Sequence, residues 1–376
     1  MDLALTEPQE MLKATARAFL ERECPRQLLL ELDRTETGMS PELWGKLARM
    51  GWLGLAIPAE YGGEGAGLLD TAVVYEQLGR GPLGGPHFSS AVLGALVVLE
   101  CGTEDQRREV LPRVASGEQI LALAYTEPDY GWGPESVKLT ARRDGPDYIL
   151  EGVKLFVHDG AAATHLLWVA RTGQGPDPAS GLTVFLVDRA EPGVAVRTLP
   201  GFMAGLCEVR FEAVRVPRRA VLGEAGTAWL GLSRAFLRAI PVLCAYKVGA
   251  TEAVFELAVN YSQTRVQFGQ PIGRFQRVQD HIIDIVNHLD AARWTTYEAI
   301  WKLETERPAA ASVHLAKAVA SEGFYRACNS CHEVHAGIGV VRNYGLVLYT
   351  RASRSLYNYL GDPRFHKRRL ADALGL

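Results

Sequence analysis

Residues 261–280 read YSQTRVQFGQPIGRFQRVQD. A long helical pattern ends here, turns at Phe268-Gly269-Gln270-Pro271 and re-enters a helix. The glycine brings free backbone dihedrals and the proline a fixed φ suited to a helix start, so the turn is expected to be sharp. Arg265 is then expected beside a helix N-terminus. Exposed N–H groups and the helix dipole make that place favourable for a phosphate or pyrophosphate. A plain helical hairpin with a solvated arginine fits the same residues.

Working outward, the helical period holds on both sides of this stretch. Residues 229–265, 275–306, 309–335 and 344–360 carry long apolar periodicities with few breaks, the pattern of an antiparallel bundle. Upstream the period changes to two. Residues 137–141 alternate, Asp144-Gly145 is a hairpin turn, and 165–172, 181–187, 194–199 and 208–216 are strand candidates between Gly, Pro and Asp clusters. These make a β unit of sandwich or barrel type. Residues 1–116 are helical again, with capping-box patterns at Thr6–Gln9 and Thr103–Gln106 and a helix start at Ser40-Pro41. The expected architecture is multidomain α+β: an N-terminal helical domain (1–117), a middle β domain (118–224) and a C-terminal four-helix bundle (225–376).

The chain has 376 residues, 48% of them hydrophobic and 22% charged, and a formal net charge of −3. That length implies two or three subdomains of an ordinary globular protein. The near-neutral balance argues against nucleic acid or an anionic membrane surface as a partner. No basic region followed by an apolar run opens the chain and no long uninterrupted apolar stretch follows, so neither a secretory signal nor a membrane span is expected. Cys24, Cys101, Cys207, Cys244, Cys328 and Cys331 are scattered. Without an export signal they are expected to be reduced, with the cytoplasm as the address.

Four further segments can carry chemistry. Residues 58–65, PAEYGGEG, form a Gly-rich loop. Ala124-Tyr125-Thr126-Glu127-Pro128 lies at a strand end, where a hydroxyl and free backbone groups can meet a planar heterocycle or simply finish the strand. Lys154–Gly160, KLFVHDG, places Phe156 and His158 on one strand face, able to line a flat ligand. Cys328-Asn-Ser-Cys-His332 has the spacing of a haem attachment site. A single straight helix cannot wrap a metal tetrahedrally, so plain thiols are the better reading. His335-Ala-Gly-Ile-Gly339 ends that helix, its glycines suggesting a C-cap and a close backbone approach.

Taken in order, YTEP, KLFVHDG, RVQFGQPIGRFQ and EVHAGIG on an α–β–α chain resemble the acyl-CoA dehydrogenase family over the full length. The loop at 58–65 and residues 211–222, FEAVRVPRRAVL, resemble further segments of it. The resemblance implies FAD as cofactor, held between the β domain and the C-terminal helices. Thr126 and its neighbour Tyr125 match the strand facing the flavin ring. Phe156 matches a tryptophan beside the isoalloxazine, and His158 stands where a threonine usually contacts the N5 edge. Arg265, Phe268 and Gln276 match positions reaching the pyrophosphate and adenosine from a neighbouring subunit. Glu333 and Gly337 match a Gln-x-x-x-Gly pair near the cofactor tail, with glutamate in place of glutamine.

The chemistry so implied is α,β-dehydrogenation of an acyl-CoA thioester, with electron-transfer flavoprotein as electron acceptor and a tetramer as the assembly. A carboxylate should take the α-proton. The family's Glu-Gly-Thr position falls here on Tyr359-Leu-Gly361, and the alternative carboxylate position on Ala239, followed by Ile240. The catalytic residue is therefore unknown from the sequence. Asp362, which could reach in if its loop refolds, His158 or another group would have to substitute. Two arrangements follow: an enzyme with an unusual base, or a non-catalytic FAD-holding subunit of a hetero-oligomer whose paralogue supplies the base. A flavin-free scaffold is a third, and would be colourless.

Overall fold

The computed structural model describes residues 4–376 other than 174 and 176. The chain divides into two compact units that interleave along the sequence: residues 1–33, 68–83 and 240–376 form one, and residues 34–67 and 84–239 the other.

In the first unit lie helices α1 (Glu7–Glu23), α2 (Arg26–Leu32) and α4 (Leu68–Arg80). With them are the C-terminal part of α7 (Ala228–Thr264), then α8 (Gln276–Glu304), α9 (Ala310–His335), α10 (Leu346–Tyr357) and α11 (Pro363–Leu374). The expected capping box is present at α1, where Thr6 N donates to Gln9 Oε1. Helix α9 is the axis of this unit and packs on α8, α10 and α11. The long apolar α7 has the length and composition of a membrane span. Most of its apolar window is buried inside the protein, with Val242, Leu243, Val248 and Val254 in the core.

The second unit holds α3 (Pro41–Arg49), a π-helical turn (Ser89–Gly94) continuing into α5 (Ala95–Cys101), and α6 (Glu104–Ala115), with seven strands. Strands β1 (Leu121–Ala124), β4 (His165–Arg171) and β5 (Leu182–Asp188) form one sheet, β1 parallel to β4. Strands β2 (Arg142–Asp144), β3 (Asp147–His158), β7 (Leu206–Val216) and β6 (Val194–Thr198) form an antiparallel second sheet. The β2–β3 hairpin turns at Gly145, with φ +64°, as the sequence suggests. The sheets share one apolar core, where Trp168 of β4 stacks on Phe211 of β7 with ring centroids 3.9 Å apart. Residues 137–141 do not form the expected strand; only Thr140 makes an isolated bridge, to Arg171. Around that bridge Arg171 N donates to Leu139 O and Ala141 N to Arg171 O, while the Arg171 guanidinium takes the carbonyls of Val137 and Pro134, so backbone pairing is confined to one residue of β4 and a side chain holds the rest.

Gln106 shows how a local signal acquires a long-range role. It caps α6 together with Thr103, and its amide also bonds Val221 O and Gly223 N, anchoring the exit of the β unit. In the loop at 58–65, Gly63 packs directly on Ile57: a Cβ there would lie 2.1 Å from Ile57 O. The close approach is to the protein itself.

Candidate functional site

The second unit brings Tyr125, Thr126, Phe156 and His158 together at the ends of β1 and β3. The link is a buried ion pair. Lys154 Nζ lies 2.9 Å from Glu127 Oε1 and also donates to Tyr125 O at 3.0 Å. Glu127 accepts two more bonds, from the amides of Lys138 and Leu139. Leu155 N donates to Thr126 O at 2.8 Å, so the two motifs are tied backbone to backbone. Burial pulls the Lys154 ammonium down to about 8, and the Glu127 carboxylate pulls against that. Neither Lys154 nor Glu127 stood out in the sequence, although each sits inside one of the motifs quoted above.

Tyr125 is turned inward. Its ring stacks on Trp132 at 5.6 Å and its hydroxyl donates to Gly133 O, so that hydroxyl is committed to the protein interior. Phe156 does face outward, 43% exposed. It does so through a bulge: the β3–β7 register shifts between Lys154 and Val157, and Phe156 has φ +55°. The bulge interrupts the simple alternation from which the shared face of Phe156 and His158 was expected; the two residues flank the buried Val157. Burial holds His158 far below the usual histidine range, at about 3. It is a neutral imidazole near pH 7, which can donate one N–H and is a weak base. Asp159 beside it accepts from Ser89 Oγ at 2.6 Å, and burial pushes its carboxyl up to about 7.

The first unit brings Arg265, Phe268, Gln276, Glu333 and Gly337 to one end of the bundle. Arg265 follows the last residue of α7, and the chain then forms a tight hairpin of β8 (Val266–Gln267) and β9 (Gln270–Pro271). Phe268 and Gly269 at its tip both have positive φ. Helix α8 begins only at Gln276, so Pro271 pairs in the hairpin and does not start the helix. Arg265 is exposed, and its guanidinium makes no ion pair or hydrogen bond among the described residues; Phe268 is 92% exposed. Glu333 and Gly337 are exposed as well. The helix stop after α9 falls on Ala336 at φ +51°, while a Cβ at Gly337 would meet nothing within 4 Å. The expected close approach is made at Gly339, where a Cβ would lie 2.8 Å from His332 Nδ1, and at Gly337 none is made among the described residues. What joins the two segments is Tyr261, stacked on His335 at 4.4 Å, with His335 Nε2 2.8 Å from the Tyr344 hydroxyl.

Cys328 and Cys331 are buried, the Cys328 thiol pushed up to about 12, and no group that could hold a metal occurs among the described residues. Ala239 and Ile240 are buried aliphatic residues of α7. Asp362, a candidate substitute base, is the N-cap of α11, its Oδ1 accepting from Phe365 N at 2.7 Å. That carboxylate is committed to the helix start. Behind residues 357–361 lie two buried lysines that the sequence reading passed over. Lys317 Nζ donates to Gly361 O, Tyr357 O and Ser321 Oγ, and Lys247 Nζ donates to the same Ser321. Burial pulls both below the usual lysine range, Lys247 to about 8; the charge of Lys247 lowers Lys317 further.

Comparison with known proteins places the chain in a family. The acyl-CoA dehydrogenase N-terminal, middle and C-terminal domain profiles match residues 6–118, 122–214 and 232–375. Acryloyl-CoA reductase (NADH) of Anaerotignum propionicum is 31% identical over 374 residues, covering 98% of this chain and 94% of that one. Among solved structures, butyryl-CoA dehydrogenase of Megasphaera elsdenii superposes with a TM-score of 0.92 at 25% identity, with full coverage of both chains. The FAD complex of PigA gives 0.93 at 26%, also with full coverage. With matches across all three domains, this chain belongs to the acyl-CoA dehydrogenase family of FAD-dependent enzymes.

Proposed function

We propose that this protein binds FAD and dehydrogenates an acyl-CoA thioester between its α and β carbons, passing the electrons to an electron-transfer flavoprotein. The observation that carries the reading is Arg265: an exposed guanidinium without a partner among the described residues, beside a hairpin whose Phe268 stands in solvent. Together with the open space at Gly337, this end of the bundle fits a pyrophosphate and adenosine brought by a second copy. Charge-assisted contacts of arginine suit such a group. The assembly is accordingly a tetramer, homomeric or with a paralogous subunit, and the working compartment the cytoplasm.

Thr126, Phe156 and neutral His158 are assigned to the flavin ring, positioned by the Lys154–Glu127 pair. When bound, FAD supplies the acceptor for the β-hydrogen as hydride. The residues of the chain must orient the thioester and let the α-proton leave. His158 is a weak base at its depressed pKa, and Asp362 is committed to capping. Those two facts, with aliphatic residues at 239 and 240, favour a second reading: an FAD-holding subunit whose partner chain provides the carboxylate.

The test is to purify the chain alone and record its visible spectrum, then add acyl-CoA thioesters of several lengths. A flavin spectrum that bleaches at an ordinary enzymatic rate supports the stand-alone dehydrogenase. Bleaching only after mixing with a glutamate-bearing paralogue supports the subunit reading. A colourless protein that takes up no added FAD refutes both.

A further inference from the structure

The turn between α10 and α11 is built with more care than a plain connection needs. Leu360 has φ +59° and Gly361 φ +102°, two consecutive residues in the left-handed region. For a leucine that conformation is uncommon and costs on the order of 1 kcal/mol, so it persists where surrounding groups hold it. Two buried side chains from outside the turn do so. Lys317 on α9, with no exposed surface, donates to Gly361 O at 2.7 Å and to Tyr357 O at 3.3 Å, clasping both ends of residues 357–361. His366 on α11 lies with Nε2 2.8 Å from Leu360 O. A carbonyl only accepts, so Nε2 carries the proton, and His366 Nδ1 meets His314 Nδ1 at 3.0 Å.

Between the clasped ends sits Tyr359, only 8% exposed, at the position to which the family resemblance assigns a catalytic carboxylate. The carboxylate is gone, yet the turn that would present it is kept rigid by groups from two other helices. We propose that Lys317 is a positioning residue for the dehydrogenation: its side chain fixes the turn at residues 357–361, and with it Tyr359, in the geometry the bound acyl thioester requires. This rests on the dehydrogenase reading above.

Lys247 provides the internal control. It is as buried as Lys317 and bonds the same Ser321 hydroxyl, at 2.7 Å, but makes no hydrogen bond to the turn among the described residues. Lys317→Met and Lys247→Met therefore remove equivalent buried amines, and only the first releases the carbonyls of Tyr357 and Gly361. The measurement pairs amide hydrogen exchange with stopped-flow bleaching by an acyl-CoA in the flavin-loaded protein. The Gly361 amide, bonded to Asn358 O, should exchange at least about tenfold faster in K317M, and within about twofold of the parent in K247M.

Bleaching should slow by about a hundredfold in K317M, the scale expected from a 1 Å misplacement. Flavin content and thioester affinity should stay within about twofold, which a general loss of structure would not allow. If K317M does not fold, K317Q, whose amide is one bond short of the turn, carries the same comparison. Unchanged Gly361 exchange or an unchanged bleaching rate in K317M overturns the proposal, as does equal release of the turn in K247M. A parent protein that binds flavin and does not bleach refutes the dehydrogenase reading instead, and the exchange comparison still decides whether Lys317 holds the turn.

Discussion

Lys154→Met is the most informative single perturbation of the β unit. The Lys154 and Glu127 side chains are 0% and 6% exposed, so the pair lies wholly out of water. Removing one partner of a buried pair costs about 3–5 kcal/mol, because the remaining charge keeps its desolvation penalty. Here Glu127 retains two backbone donors, the amides of Lys138 and Leu139 at 2.9 and 3.0 Å. The cost therefore falls at the low end, about 3 kcal/mol. For a unit of this size, about 2–4 °C of melting temperature accompanies each kcal/mol, giving a fall of about 6–12 °C. Tryptophan fluorescence is a suitable probe, since the Lys154 ammonium lies 5.5 Å from the centre of the Trp168 ring. A cycle with Glu127→Gln should return a coupling of about 1–3 kcal/mol. A K154M protein melting within about 2 °C of the parent, or a coupling near zero, refutes the idea that this pair holds the two motifs together.

The other expectations can be checked with standard material. Arg265→Ala should lower FAD retention by tenfold or more, about 1.4 kcal/mol or above, with melting of the flavin-free chain unchanged; equal retention by gel filtration rules the assignment out. Asp362→Asn should leave both stability and bleaching rate close to the parent, because asparagine caps a helix as well as aspartate does; a loss of several orders of magnitude would restore Asp362 as the base. Melting temperature should fall from pH 7 to pH 5. Burial holds His158, His314 and His366 at about 3, 4 and 2, against about 6.5 in the unfolded chain. Below pH 6.5 the unfolded state binds protons that the folded state refuses, so stability is lost downward from there. Asp159, raised to about 7, works in the opposite direction as a single group, and a flat or rising profile would contradict the burial of these histidines.

Most of the architecture was legible because it is written in local patterns. Capping boxes at Thr6 and Thr103, the hairpin at Gly145 and the change of period from 3.6 to 2 and back each depend on residues a few positions apart. Where local reading went astray, either a distant group had replaced the local one or the chain took a turn its residue types do not signal. The Arg171 guanidinium bonds residues 134 and 137, beside the two backbone bonds that Arg171 makes to Leu139 and Ala141. Pro271, read as a helix start, pairs with Val266 across a two-residue hairpin. The helix stop at Ala336 belongs to a residue type for which no turn signal exists.

The sequence by itself determined the order of the elements and the family, since those reside in contiguous motifs. Only the tertiary structure decided what holds them. Lys154 and Glu127 are 27 positions apart, Lys317 and Gly361 are 44, and Tyr261 meets His335 from a different helix. A buried lysine looks like any other lysine in a sequence. It acquires a role when burial strips its water and leaves one set of carbonyl or carboxylate oxygens to replace it. The hairpin after Arg265 was visible from its glycine, but the exposure of that arginine, without a partner among the described residues, was a property of the fold.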